Sequence, residues 1–406
     1  MEVRADVSVA VGDPLRGQAS YRRLFFLVAG LVLVAALSAR LAHELNRLLF
    51  EADGPIDLLL LRRMIRDWLA GASPYEGRGG IHPPAVFVLL WPLYGWGSDT
   101  LTRWVYALVS FIVIAGFARV LLREARPESA WESALLAIVL AGCYPAAVTI
   151  GNGQITFFLL FAAIGSVLVF LRRPSGAGRD TLLTGLFLIS LVKPPLTMPF
   201  FWVIAFSKGW LRPVVLALVA YVAATGISIA LNGTPLEGLS AMLRSWYDRA
   251  EFGMAQTGYG NIHGWLGSRD LDAWILPASG LVFAVHGVWA SRHRDADLWV
   301  LLGVAAIVAR IWAYHQVYDD LLLVVPLIAL YRLGRGETPD RTASALFVVG
   351  AVVLVAPVTP ILRHASWALV VVWFLQLAHL MRCASRPKMN AEEVVAVAQR
   401  GRIRAS

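Results

Sequence analysis

Long apolar runs alternate with short polar breaks along this chain. Apolar runs of membrane length recur from residue 24 to residue 382. A helix of about 20 residues crosses a hydrocarbon core. Runs at 24–41, 84–97, 101–122, 131–149, 154–171, 181–206, 211–231, 273–290, 297–313, 316–333, 342–357 and 365–382 therefore predict an all-α polytopic membrane protein of about twelve transmembrane helices. Several runs fall short of that length, which predicts tilted or broken helices. The ten-residue alternation of a transmembrane barrel is absent.

The polar breaks divide the chain. Residues 1–21 read as a basic cytoplasmic segment, 22–387 as one transmembrane domain and 388–406 as a cytoplasmic tail. The first helix is expected over 22–46, as a signal anchor that is not cleaved. The first external loop follows at 47–82, and a second long polar stretch lies at 232–272. Within the first loop, Leu58 to Leu61, Ile65, Trp68 and Leu69 alternate with Arg62, Arg63, Arg66 and Asp67. This predicts an amphipathic helix at the membrane interface, with the arginines on one positive face. Gly71 and Pro74 end it. An even count puts both loops outside and Arg292, Arg294, Arg332, Arg335, Arg382, Arg386 and Lys388 inside, as short cytoplasmic loops prefer. It leaves Arg123, Arg126, Arg172, Arg173 and Arg179 outside. An alternative count makes 84–97 re-entrant, splits 181–206 at Lys193-Pro194-Pro195, and brings these five inside.

Composition agrees with a lipid environment. The chain is 58% hydrophobic and 16% charged, against about 25% charged in soluble domains. Its net charge of +9 suits anionic membrane lipids rather than nucleic acid. Cys143 and Cys383 sit in or beside apolar runs without a CxxC, so they read as inert thiols. With no P-loop, dinucleotide fingerprint or zinc spacing, no cofactor and no metal are expected.

Several polar residues carry candidate chemistry. Asp57 follows Gly54-Pro55 and opens the interfacial helix, where it serves either as a cap or as a general base. Arg62, with Arg63 and Arg66, suits lipid headgroups or a lipid phosphate. Lys193 is a lone cation deep in an apolar run beside two prolines. Such a charge either faces a partner or cavity, or snorkels to the interface. Asn152 and Gln154, in Gly151-Asn-Gly-Gln154, offer neutral hydrogen bonds to sugar hydroxyls or mark an ordinary turn. Asn261 and His263 lie in the second external loop as weaker sugar-binding candidates. The densest polar cluster is Arg310-Ile-Trp-Ala-Tyr314-His315-Gln316-Val-Tyr318-Asp319-Asp320. There Arg310 and His315 suit a phosphate and Tyr314 a sugar face; the plain alternative is an interfacial aromatic belt. Metal ligation by His315 with Asp319 or Asp320 is the weaker option.

Taken in order, these motifs resemble the GT-C membrane glycosyltransferases, and within them glycosyltransferase family 87, the polyprenyl-phosphate-mannose-dependent α-mannosyltransferases. The residues behind the resemblance are Asp57, Gly71-Ala-Ser-Pro74-Tyr75, His82-Pro83-Pro84, Trp91-Pro92-Leu93, Gly153-Gln154, Lys193-Pro194 and His315. The chain departs from that pattern at Leu58, where the family has an aromatic residue, and at Gln316, where it often has a second histidine. The resemblance implies an inverting hexosyltransferase. It would move mannose from a polyprenyl-phosphate donor to a lipid or glycan acceptor at the external face of the cell's inner membrane. Asp57 would then be the catalytic base. Lys193, His315, Arg310 and Arg62 would hold the donor phosphate. Tyr75, His82, Asn152, Gln154, Asn261, His263 and Tyr314 would line the sugar and acceptor sites. The competing readings are a flippase or exporter of lipid-linked sugars and a non-catalytic polysaccharide-assembly protein.

Overall fold

The computed structural model describes residues 14–75, 82–255, 260–336, 338–356 and 358–386. The 388–406 tail and most of the expected N-terminal segment lie outside the described residues. The described chain is helical, without strands. Helix α1 (Pro14–Leu49) begins earlier than the expected residue 22.

Helix α2 (Ile56–Leu69) is the expected amphipathic helix. Its buried face is Leu58, Leu61, Arg62, Met64, Ile65 and Trp68, with Arg63 and Arg66 exposed. Arg62 thus departs from the expected positive face. The turn between α3 (Ala85–Tyr94) and α4 (Asp99–Ala125) explains this. Arg62 Nε donates to Asp99 at 2.6 Å, and its Nη1 to the Tyr94 and Trp96 carbonyls at 2.9 and 3.0 Å and to Thr102 at 2.6 Å. A guanidinium with filled donors tolerates burial.

Helix α3 stays at the α2 end of the bundle. Phe87 stacks on Trp68 with centroids 4.9 Å apart. The Pro84 carbonyl accepts from Ser228 Oγ at 2.6 Å, near the C-terminus of α10 (Leu211–Asn232). Trp68 Nε1 also donates to the Ser228 carbonyl, at 2.9 Å.

Beyond α4, the expected run at 131–149 is two helices, α5 (Ala130–Gly142) and α6 (Tyr144–Asn152), bent by 42° at Cys143. The run at 181–206 is also two: α8 (Ala177–Ser190) and α9 (Pro194–Ala205), broken at Lys193. Proline lacks the N–H that would continue the ladder. Between the pairs lies α7 (Thr156–Arg172). The 232–272 stretch carries α11 (Leu239–Ala255) and α12 (Ile262–Gly267). The chain ends with α13 (Ile275–Arg292), α14 (Leu298–Trp312), a 3-10 turn at Val317–Leu323, α15 (Val324–Gly334), α16 (Arg341–Val355) and α17 (Val358–Ala384).

Among the described residues four helices are long and apolar enough to cross a membrane, or five if the bent α5–α6 pair is one span. Five more apolar helices are 10–17 residues long. Helix α14 is buried on all sides from Trp299 to Ile311 and forms the centre. Helix α10 instead exposes Leu211, Leu218, Val219 and Val222, apolar residues suited to lipid.

Charged residues close the bundle opposite α2. Arg172 bonds Glu124 at 2.6 Å, Trp299 Nε1 donates to the same carboxylate at 3.0 Å, and Arg332 reaches Asp297 at 3.3 Å. The C-terminal ends of α4, α7 and α15 therefore meet at one end. Arg172 and Arg332 share an end, as in the alternative count where 84–97 does not cross.

Candidate functional site

A cavity of about 190 Å³, with a polar and an apolar side, opens at the α2 end. It is built around the turn from α6 to α7. Gly153 ends α6 in the left-handed conformation, at φ 73°. The Gln154 N–H returns to the Thr149 carbonyl at 2.9 Å, a tight C-terminal cap. A Cβ on Gly153 would lie 2.2 Å from the Leu58 Cβ, so only glycine lets α2 approach this closely. The approach sets Gln154 against Asp57, which accepts its hydrogen bond.

Asp57, Gln154, His82, Lys193, Tyr314, Gln316 and Tyr318 line the cavity, with Leu60, Leu61 and Met64 as its apolar side. Burial raises the Asp57 carboxyl above the ordinary carboxylate range; Gln154 and Lys193 only partly oppose this. Such a carboxylate is a stronger proton acceptor than an exposed one. His82 is half-buried; desolvation, then the Lys193 charge, pushes its imidazole down to about 4. At neutral pH it offers hydrogen bonds and no charge.

The cation in the cavity wall has a partner. Lys193 Nζ donates to both oxygens of Asp319, at 2.9 and 2.8 Å. The rings of Tyr314 and Tyr318 flank the ammonium at 5.8 and 5.3 Å. An ammonium has three hydrogens, so one remains for a ligand. Asp319 is fully buried and is the hub of the cluster. It also accepts from Thr156 Oγ1 at 3.1 Å and from the Gln316 N–H at 3.1 Å, and it faces His315 Nδ1 at 3.2 Å. The other ring nitrogen of His315 faces the Ala309 carbonyl. Both neighbours are acceptors, and a neutral imidazole, with one N–H, donates to one of them at a time.

Other expected site residues take structural positions. His315 is fully buried behind Asp319 and does not line the cavity. Arg310 pairs with Asp320 in the core and lies 4.7 Å from the Trp373 ring centroid. Arg62 is taken up by the α3–α4 turn. Tyr75 donates to the His82 carbonyl at 3.0 Å and packs on Trp68 and Phe87. Asn152 accepts from Arg47. Asn261 caps α12 by accepting the Gly264 N–H at 2.8 Å, and His263 Nε2 meets Ser279 Oγ at 2.7 Å. The sequence places Gln316, Tyr318 and Asp319 in the dense polar cluster without singling them out as site residues, and does not point to Thr156. The signal for Asp319 was the buried Lys193 itself, which requires an anion nearby.

No protein-family model, curated protein or solved structure matches this chain. The cavity's chemistry therefore carries the functional reading.

Proposed function

We propose that this chain is a membrane-embedded, inverting glycosyltransferase, with a polyprenyl-phosphate-linked sugar as donor and a lipid or glycan hydroxyl as acceptor. One observation carries the reading: Asp57 and Lys193 open on the same small cavity at one end of an apolar helical bundle. A base and a cation facing one space suit a single displacement.

In that reaction the acceptor oxygen attacks the anomeric carbon and gives its proton to Asp57. The bond from that carbon to the phosphate oxygen breaks on the opposite face, and its electron pair leaves with the phosphate. The remaining Lys193 hydrogen meets the growing negative charge, which is where electrostatic stabilisation lowers a barrier. Gln154 orients the Asp57 carboxylate, and neutral His82 and Tyr314 are placed to bond sugar hydroxyls. The resemblance to family 87 supports mannose as the sugar.

The test uses purified full-length protein in detergent, with polyprenyl-phosphate mannose and a glycolipid acceptor. A transferase converts the donor without an ion gradient, which a flippase or exporter does not. Asp57→Asn is expected to lower turnover by about 10²–10⁴. Full transfer by that variant, or no transfer by the native chain across acceptors, overturns the proposal.

A further inference from the structure

At the end opposite the cavity, three potential metal ligands converge. Helix α17 carries His379 and Cys383 four residues apart, hence on one face. Asp340 faces them from the N-terminus of α16. Its Oδ1 caps that helix by accepting the Ala343 N–H at 3.0 Å, which fixes the carboxylate and turns Oδ2 toward α17. His379 Nε2 lies 3.5 Å from Asp340 Oδ2 and 3.6 Å from Cys383 Sγ. All three ligand atoms fall within 4.8 Å of one another.

The His379–Asp340 separation is long for a charge-assisted hydrogen bond, which runs about 2.7–2.9 Å, while the Cys383–His379 contact has the length of a weak sulfur hydrogen bond. Both also match neighbouring corners of a tetrahedral ion. Zinc bonds of about 2.0–2.3 Å to nitrogen, oxygen and sulfur place neighbouring ligand atoms roughly 3.3–3.7 Å apart. We propose that Asp340, His379 and Cys383 bind one zinc ion, tying α16 to α17. Thiolate with imidazole selects zinc over magnesium or calcium. Water completes the tetrahedron, because Cys383 borders an open cavity shared with His293 and Asp295. Arg386 bonds Asp340 Oδ2 at 3.0 Å and acts as the outer partner that metal-binding carboxylates commonly keep. Binding displaces the thiol proton of Cys383, while His379 coordinates through unprotonated Nε2.

The site lacks the CxxC spacing that marks zinc in a sequence, since its third ligand comes from another helix. It stands apart from Asp57 and Lys193 and does not depend on the transferase reading.

The experiment is metal titration of purified, chelator-stripped full-length protein in detergent, with zinc in competition against a chromophoric chelator and with cobalt as a spectroscopic substitute. One ion per chain is expected, with a thiolate-to-cobalt charge-transfer band. Cys383→Ser is expected to abolish that band and weaken zinc binding by more than about 10-fold. Asp340→Asn keeps an equally good helix cap, so it separates ligand loss from misfolding; it too is expected to weaken binding more than about 10-fold. Absence of stoichiometric zinc binding, or unchanged affinity in both variants, overturns the proposal.

Discussion

Lys193→Met tests whether the cavity wall depends on its buried ion pair. Lys193 keeps 8% of its side-chain exposure and Asp319 none. At 2.8 Å and an effective dielectric of about 20, the attraction is ~6 kcal/mol. Desolvation of the two charges offsets much of that, so the pair adds little net stability. Removing one partner differs, because it strands the other charge, at a cost of about 3–5 kcal/mol. Asp319 would keep Thr156, the Gln316 N–H and His315, which places the loss near the lower end, about 3 kcal/mol. The assay is denaturant unfolding of purified protein in mixed micelles, for Lys193→Met, Asp319→Asn and the double variant. The double variant is expected to lose less than the sum of the singles, by more than about 1 kcal/mol. Losses that add within about 0.5 kcal/mol, or a Lys193→Met protein as stable as the native one, would refute the reasoning.

Three further outcomes follow from the same geometry. Gly153→Ala sets a Cβ against Leu58 and strains a positive φ, so a loss of more than about 2 kcal/mol is expected, together with lost transfer as Asp57 moves off Gln154; native stability would contradict it. Asp57→Asn is expected to raise stability at neutral pH while removing activity. Burial lifts the folded-state pKa of Asp57, so the native fold loses stability as pH rises through that window, and the amide escapes the loss; a melting temperature below native at pH 7 would count against this. His82 behaves in the opposite sense. With its folded-state value pushed down to about 4 from 6.5, its contribution is full above 6.5 and fades as pH falls toward 4, and His82→Gln should flatten stability across that interval.

Much of the framework is legible in the sequence. The α2 helix follows from its apolar periodicity, the break at Lys193 from two prolines, and the tight turn at 151–154 from its glycines. Arg62 was legible too, by a stricter reading. Leu58, Leu61, Ile65 and Trp68 define the apolar stripe, and residue 62 falls on it, one turn after Leu58. Its charge suggested a solvent face, but its position placed it in the core. Asp319 was not legible in this way. Whether a carboxylate in a polar cluster is solvated or buried depends on what packs over it, and Thr156 and Lys193 come from distant parts of the chain. Arg310 and His315 show the same limit. Sequence announces that a buried cation needs an anion, but not which anion it takes.

The helix that carries Asp57 is bolted down along its length. Arg47 grips the Gly54 carbonyl at 2.9 Å ahead of it, Arg62 clamps its middle, and the Asn232 amide holds the Trp68 carbonyl at 2.7 Å behind it. A rod pinned at three points has no hinge, so α2 is a stationary wall rather than a door. In the proposed transfer, whatever admits a bulky ligand and discharges the product comes from another side of the chamber, and the carboxylate stays in place throughout the cycle.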